Sequence, residues 1–237
     1  MNDMKRYDVV SIFPDMFDAL TGYGVTGRGR EKGDYELVVW NPRDFSNDQR
    51  RTVDDRPFGG GAGMVMMAEP IVRSIRAARA RQKSCGVGDP KTVALTPAGV
   101  PLTQKLAKTL TAMDGLILLA GRYEGIDQRV FDLEVDLEVS VGDYVVSGGE
   151  LPAMVLLDSL IRLIPGVLND DKSIVEESHS DGLLEYPQYT RPEVFEGLSV
   201  PKVLLSGNHK EIDDWKKKEA LEKTKFVRPD LLEAKPG

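Results

Sequence analysis

Three glycine-rich segments stand out as places where the backbone itself could bind a ligand: Gly59-Gly60-Gly61-Ala62-Gly63, Gly121-Arg122-Tyr123-Glu124-Gly125 and Ser147-Gly148-Gly149. Glycine admits positive φ and allows a ligand or another chain segment to approach closely. Exposed backbone amides in such loops suit a nucleotide, a methyl donor or a sugar phosphate, and residue type alone does not choose among them. Other chemistries drop out. His179 and His209 are the only histidines and lie far apart, which argues against a histidine-rich metal site. Cys85 is the only cysteine, so neither an internal disulfide nor a cysteine zinc site can form, and a reduced thiol in a cytoplasmic protein is expected. There is no nucleophile elbow and no phosphate-cradling Gly-x-x-x-x-Gly-Lys-Ser/Thr sequence. Gly22-Tyr23-Gly24-Val25-Thr26-Gly27 matches the dinucleotide fingerprint as a string. It is expected to follow a helix rather than a strand, and to lead into Arg28-Gly29-Arg30 without opening a helix, so it fails the structural test.

Charge narrows the partners. The chain carries 31 basic and 38 acidic residues, a formal net charge of −7. That excludes broad, non-specific coating of nucleic acid, which needs a positive surface, but leaves room for a local basic patch. Arg28, Arg30, Arg43, Arg50, Arg51 and Arg56 are interleaved with Gly, Asp and Pro rather than spaced along a helix, and Lys216, Lys217 and Lys218 form a second group. No run approaches the ~20 apolar residues of a membrane span, so no membrane partner is expected.

The elements that must position these residues alternate. Residues 7–13, 35–40, 92–95 and 116–120 read as buried strands. Residues 16–20, 69–83, 102–110 and 150–163 read as helices, the last of them strongly amphipathic. Such alternation predicts a mostly parallel α/β sheet covered on both faces, with ligands at the carboxyl ends of the strands. Those ends carry Thr96-Pro97-Ala98-Gly99, the loop from Gly121 and the loop from Gly142, with Ser147-Gly148-Gly149 placed directly after an apolar strand. Residues 41–63 form a long irregular stretch of the kind usually reserved for function. Residues 1–166 are expected to form the main domain, 167–180 a flexible linker, and 181–237 a small, mainly helical domain with a helix over 212–224.

These segments also carry a family likeness. Phe13-Pro14-Asp15-Met16-Phe17, Tyr23-Gly24-Val25-Thr26-Gly27-Arg28 and Asn41-Pro42-Arg43-Asp44-Phe45 resemble bacterial tRNA (guanine-N1)-methyltransferases, the TrmD family. So do Arg51-Thr52-Val53-Asp54-Asp55-Arg56-Pro57-Phe58-Gly59-Gly60-Gly61, Gly121-Arg122-Tyr123-Glu124-Gly125-Ile126-Asp127 and the longest match, Gly142-Asp143-Tyr144-Val145-Val146-Ser147-Gly148-Gly149-Glu150-Leu151-Pro152-Ala153-Met154. Ile164-Pro165-Gly166-Val167-Leu168, Tyr189-Thr190-Arg191-Pro192-Glu193-Val194 and Leu205-Ser206-Gly207-Asn208-His209 continue it, so the likeness spans nearly the whole chain in order.

The resemblance implies more than the spacing does. It implies a SPOUT fold, in which the parallel sheet ends in a deep trefoil knot, a rare exception to the rule against knots. It implies a homodimer with the active site at the subunit interface, S-adenosylmethionine as methyl donor, and a tRNA substrate methylated at N1 of the guanine at position 37, just 3′ of the anticodon. Carried over by position, the donor-binding residues are Leu95, Thr96 and Pro97; Gly121, Tyr123, Glu124 and Gly125; and Val141, Gly142, Asp143, Tyr144, Val145, Val146, Ser147, Gly148, Gly149 and Pro152. Tyr144 offers either a packing surface or a hydroxyl, and Glu124 stands where a carboxylate, and with it a Mg2+ ion, would sit near the methionine end. Asp54, Arg56, Gly59 and Gly63 fall in the region that faces the tRNA, and the lysine group would contact phosphates.

Neutral guanine N1 carries a proton and is a poor nucleophile, so the reaction needs a carboxylate base. Charge developing on guanine O6 needs a cationic donor, which the resemblance places at Arg162. Counting from Arg162 places Glu177 where the family has an aspartate base, with Glu176 beside it; the glutamate is one methylene longer. Two other readings compete with the enzyme. A non-catalytic RNA-binding protein would explain the Glu177 substitution, and a nucleotide-binding regulatory domain would explain the glycine loops but neither the arginines nor the second domain.

Overall fold

Leu116, Leu118 and Ala120 face one side of a strand whose Ile117 and Leu119 face the other, and all five are buried. A strand apolar on both faces must be central in a sheet covered twice. That strand is β6 (Gly115–Ala120), at the middle of a five-stranded, all-parallel sheet of order β2-β1-β6-β5-β7. Its neighbours are β1 (Lys5–Val10) and β5 (Lys91–Pro101), flanked by β2 (Tyr35–Trp40) and β7 (Leu137–Ser140). The computed structural model describes residues 4–168 and 182–233, and the chain divides into two compact units, Met1–Asn169 and Asp170–Gly237.

One face of the sheet packs Tyr7, Val9, Val93 and Leu118 against Phe17, Leu110, Leu156, Leu157 and Leu160, which come from the segments around α1 (Asp18–Thr21), α4 (Gln104–Thr111) and α6 (Glu150–Ile161). The other face packs Val10, Ala94, Ile117 and Leu119 against Ile71, Ile75, Ala78 and Val130 of α3 (Ala68–Ser84) and α5 (Gln128–Glu134). Thr103 caps α4 by accepting from the Leu106 amide at 3.2 Å, and Asp127 caps α5 by accepting from the Arg129 amide at 3.0 Å.

Several expectations need correction. The first strand ends at Val10 rather than at residue 13, and residues 16–20 divide between a 3-10 turn (Pro14–Phe17) and the single turn of α1. The strand expected at 92–95 runs through Pro101 around a bulge between Leu95 and Val100. A helix does open in the fingerprint-like string: α2 (Gly24–Lys32) carries Arg28 and Arg30, so these two arginines are spaced along a helix after all. The fingerprint still fails, because α2 follows α1 and not a strand. Glycine is a poor helix former, but at position 29 it relieves crowding. A Cβ on Gly29 would meet Val167 at 3.3 Å and Tyr35 at 3.5 Å. Helix α6 is apolar nearly all round rather than amphipathic, leaving Leu151 and Val155 about half exposed, at 50% and 51%. No strand immediately precedes Ser147-Gly148-Gly149; these residues lead into α6 instead.

The second unit is built on α7 (His209–Val227), with a short hairpin of β8 (Val194–Phe195) and β9 (Leu198–Ser199) before it and α8 (Asp230–Glu233) after it. Thr224 is fully buried and its hydroxyl accepts from the Leu184 amide at 2.8 Å, which ties the entering chain to the helix.

Candidate functional site at the strand ends

The carboxyl ends of β5, β6 and β7 and the start of α6 enclose a cavity of ≈ 220 Å³. Leu95, Thr96 and Pro97 come from the β5 bulge, and Gly121, Tyr123, Glu124 and Gly125 from the loop after β6. Val141, Gly142, Tyr144, Val145, Val146, Ser147, Gly148 and Gly149 come from the loop after β7, with Pro152 in the first turn of α6. All these residues were expected together from the sequence. Asp143 is the exception: it belongs to the same loop, but it is exposed and stands outside the lining. Sequence reasoning missed Arg122, Ile126, Phe131, Val139 and Ser140, which complete the wall. Strand alternation could have found Val139, because it sits on the buried face of β7 with Leu95 as its neighbour.

Close backbone approach explains the glycines. A Cβ on Gly149 would lie 2.7 Å from both Ala120 Cα and the Gly121 amide nitrogen, and the Gly149 amide donates to the Gly121 carbonyl at 2.7 Å. A Cβ on Gly99 would collide with the β7 backbone, 2.5 Å from Glu138 C. The site is therefore chain laid directly on chain. Gly149→Ala is expected to lower unfolding stability by about 1–3 kcal/mol or more, since backbone cannot yield cheaply. Gly88→Ala, with nothing within 4 Å of the added Cβ, is expected to stay within about 0.5 kcal/mol. Urea unfolding of both variants measures the difference; equal stabilities would refute the packing argument.

A buried ion pair holds this arrangement. Glu150 is 0% exposed and accepts from Arg122 Nε at 2.7 Å and from the Ser11 hydroxyl at 2.8 Å. Arg122 also donates to the Ser147 carbonyl at 3.2 Å and lies 4.6 Å from the centroid of the Phe13 ring. A Cβ on Gly148 would run into the Arg122 side chain. One guanidinium thus clamps the glycine turn to the head of α6 and to the chain leaving β1.

The long stretch after β2 is fastened to the same wall. β3 (Asp54–Asp55) pairs antiparallel with β4 (Val65–Met66). The Glu124 amide donates to the Met64 carbonyl and the Met66 amide to the Gly125 carbonyl, both at 2.9 Å. Gly63 lies against the Glu124 side chain. Tyr123 takes a positive φ of 60° and faces the half-buried Asp54; burial and that carboxylate raise its hydroxyl pKa, while Arg43 opposes them. Asp54 and Gly63 therefore adjoin the cavity wall, whereas Arg56 and Gly59 are exposed on the excursion between them.

Arg162 stands apart from this cavity. Arg162 caps the far end of α6, its amide bonded to the Asp158 carbonyl at 3.2 Å, and it does not line the cavity. The 12 residues of α6 put it roughly 18 Å from Gly149. Glu177 and Glu176 lie outside the described residues. On α7, Lys217 and Lys218 are exposed and Lys216 Nζ sits 4.8 Å from the centroid of the Tyr186 ring. Among the described residues no group of three or more His, Cys, Asp or Glu side chains could hold a metal ion, so a magnesium site at Glu124 gains no support. No helix among them is long and apolar enough to cross a membrane.

The family model described as tRNA (Guanine-1)-methyltransferase TrmD matches residues 4–234. A tRNA (guanine-N(1)-)-methyltransferase of Methylobacillus flagellatus is 55% identical over 232 residues, covering 98% of this chain and 88% of the relative. The proteins of the same description from Nitrosospira multiformis and Burkholderia mallei are each 54% identical, covering 97% and 96% of this chain and 90% and 86% of their own. With its glycine turns, parallel sheet and strand-end cavity, this chain belongs to the tRNA (guanine-1)-methyltransferase family.

Proposed function

We propose that the protein transfers a methyl group from S-adenosylmethionine to N1 of guanine 37 in tRNA, in the cytoplasm, as a homodimer. The carrying observation is the strand-end cavity of ≈ 220 Å³, walled by three backbone loops and joined by backbone hydrogen bonds to the segment 54–66. Apolar Leu95, Ile126, Phe131, Val139 and Pro152 suit a flat purine, and the polar backbone of the loops 121–125 and 141–149 suits ribose and carboxylate, so the residues fit the donor. Bound there, S-adenosylmethionine would supply a methyl group already activated by its sulfonium.

The remaining work falls to side chains. Glu177 accepts the N1 proton, and Arg162 donates toward O6 as negative charge develops there. Asp54, Arg56, Gly59 and Gly63 face the RNA, and residues 181–237, with Lys216, Lys217 and Lys218, grip the anticodon branch through phosphate contacts that position without specifying. Residues 1–166 bind the donor and 167–180 join the two parts.

A second copy is favoured by two features. Tyr144, Val145, Leu151 and Val155 leave an apolar surface beside the cavity, and Arg162 stands a helix length from its own chain's cavity, so a partner could complete the site. The knot implied by the family fits the passage of Gly149 against Ala120 and Gly121. The test supplies S-adenosylmethionine with tRNA carrying guanine or adenine at position 37. N1-methylguanosine is expected from the first only; transfer to neither would favour a non-catalytic RNA-binding protein, and transfer to both would refute the specificity.

A further inference from the structure

We propose that Phe58 is a stacking platform for an unpaired RNA base next to the cavity, most simply the neighbour left without a partner when the target guanine leaves its stack. The inference rests on the tRNA reading above and adds to it a residue that binds RNA without touching the reacting atoms. Phe58 is 100% exposed, the most exposed of the large apolar side chains among the described residues. An aromatic ring wholly in water gains nothing for the fold, so its place must be argued from what it meets.

The ring is held out by its backbone. The Gly60 amide donates to the Pro57 carbonyl at 3.3 Å, closing a turn with Phe58 at its corner, and Gly59 takes the positive φ of 86° that such a turn demands in its third position. Added Cβ atoms on Gly59 and Gly60 would meet nothing within 4 Å. These glycines therefore serve the backbone shape of the tip, not close packing against the protein. The base of the excursion is fixed, because Met67 donates to the Val53 carbonyl at 2.8 Å and Glu124 to the Met64 carbonyl at 2.9 Å. A ring on a shaped tip is thus carried by an anchored stalk whose foot is the cavity wall.

The surrounding charges select the occupant. Asp54 is half-buried and faces Tyr123, and Asp55 accepts from the Arg56 amide at 2.7 Å and keeps its charge. The guanidinium group of Arg56, two residues before Phe58, forms no ion pair among the described residues. An exposed ring with an unpaired cation two residues away in the chain matches an unstacked nucleotide, which offers a flat π face and a phosphate together. A purely apolar protein partner would leave that cation unanswered.

The test compares Phe58→Ala, Phe58→Trp and the unaltered protein, and because Phe58 is fully exposed both variants are expected to keep the native circular dichroism spectrum. tRNA affinity is read by fluorescence anisotropy without methyl donor, KM for S-adenosylmethionine by steady-state transfer, and association state by sedimentation velocity. Phe58→Ala is expected to weaken tRNA binding by roughly 5- to 150-fold, the range for losing one base–aromatic stack, with KM for the donor unchanged and with Phe58→Trp restoring affinity. Unchanged tRNA affinity in Phe58→Ala would overturn the proposal, and so would a change in its sedimentation, which would assign the ring to contact between copies. If the unaltered protein binds tRNA without methylating it, the methyltransfer reading falls while the affinity comparison still decides the role of Phe58.

Discussion

Glu177→Gln is expected to lower the rate of methyl transfer by about 10²–10⁴-fold while leaving S-adenosylmethionine affinity unchanged, because general-base catalysis contributes on that scale. Glutamine keeps the length of the side chain and removes its capacity to take the N1 proton. The glutamate itself adds a test of reach. If the chain around position 177 has adjusted to the extra methylene, Glu177→Asp leaves the carboxylate short, and a displacement of roughly 1 Å costs up to about 10²-fold. Glu176→Gln serves as the neighbouring control and is expected to keep near-normal turnover. Single-turnover transfer with saturating donor separates chemistry from binding. Near-normal transfer by Glu177→Gln would remove the residue from the mechanism, and loss in Glu176→Gln alone would move the role one position back.

Legibility in the sequence followed physical rather than statistical lines. The strand over 116–120 and the helix over 69–83 were readable because their burial patterns are simple: one is apolar on both faces, the other on one. Helix α2 was not, because its three glycines contradict helix propensity; Gly24 takes a positive φ, while Gly27 packs on the Gly22 backbone and Gly29 on Val167 and Tyr35. In α6 the apolar residues pointed to a helix but not to its surroundings. Leu151 and Val155 fall on a face that neither the sheet nor the other helices cover, and no periodicity reveals what covers a face. The cavity residues were readable through their glycines and through the resemblance, whereas neither assigned a role to Arg122. Glu150, a carboxylate in the apolar first turns of α6, was the available signal, since a buried charge needs a partner. The excursion 56–63 was readable as irregular chain, but its fastening to residues 124–127 depends on backbone hydrogen bonds that no side-chain pattern records.

That partnership leads to the second large effect. Glu150→Leu is expected to cost about 3–5 kcal/mol of unfolding free energy, because it leaves the Arg122 guanidinium and the Ser11 hydroxyl without their shared acceptor. Stability alone does not explain keeping the pair, since a well-packed apolar replacement of a buried ion pair is often neutral or better. Arg122→Met with Glu150→Leu is therefore expected to recover much of the loss. Donor binding should not recover with it. Arg122 also holds the Ser147 carbonyl at 3.2 Å, beside the turn where Gly149 rests on Gly121, and methionine cannot donate there. A double-mutant cycle read by both urea unfolding and calorimetric titration of S-adenosylmethionine separates the two roles. Stability should show strong coupling between positions 122 and 150, while donor affinity should fall in every variant that lacks Arg122. If the double variant binds the donor as tightly as the unaltered protein, the pair serves the fold alone and the glycine turn holds its shape without it.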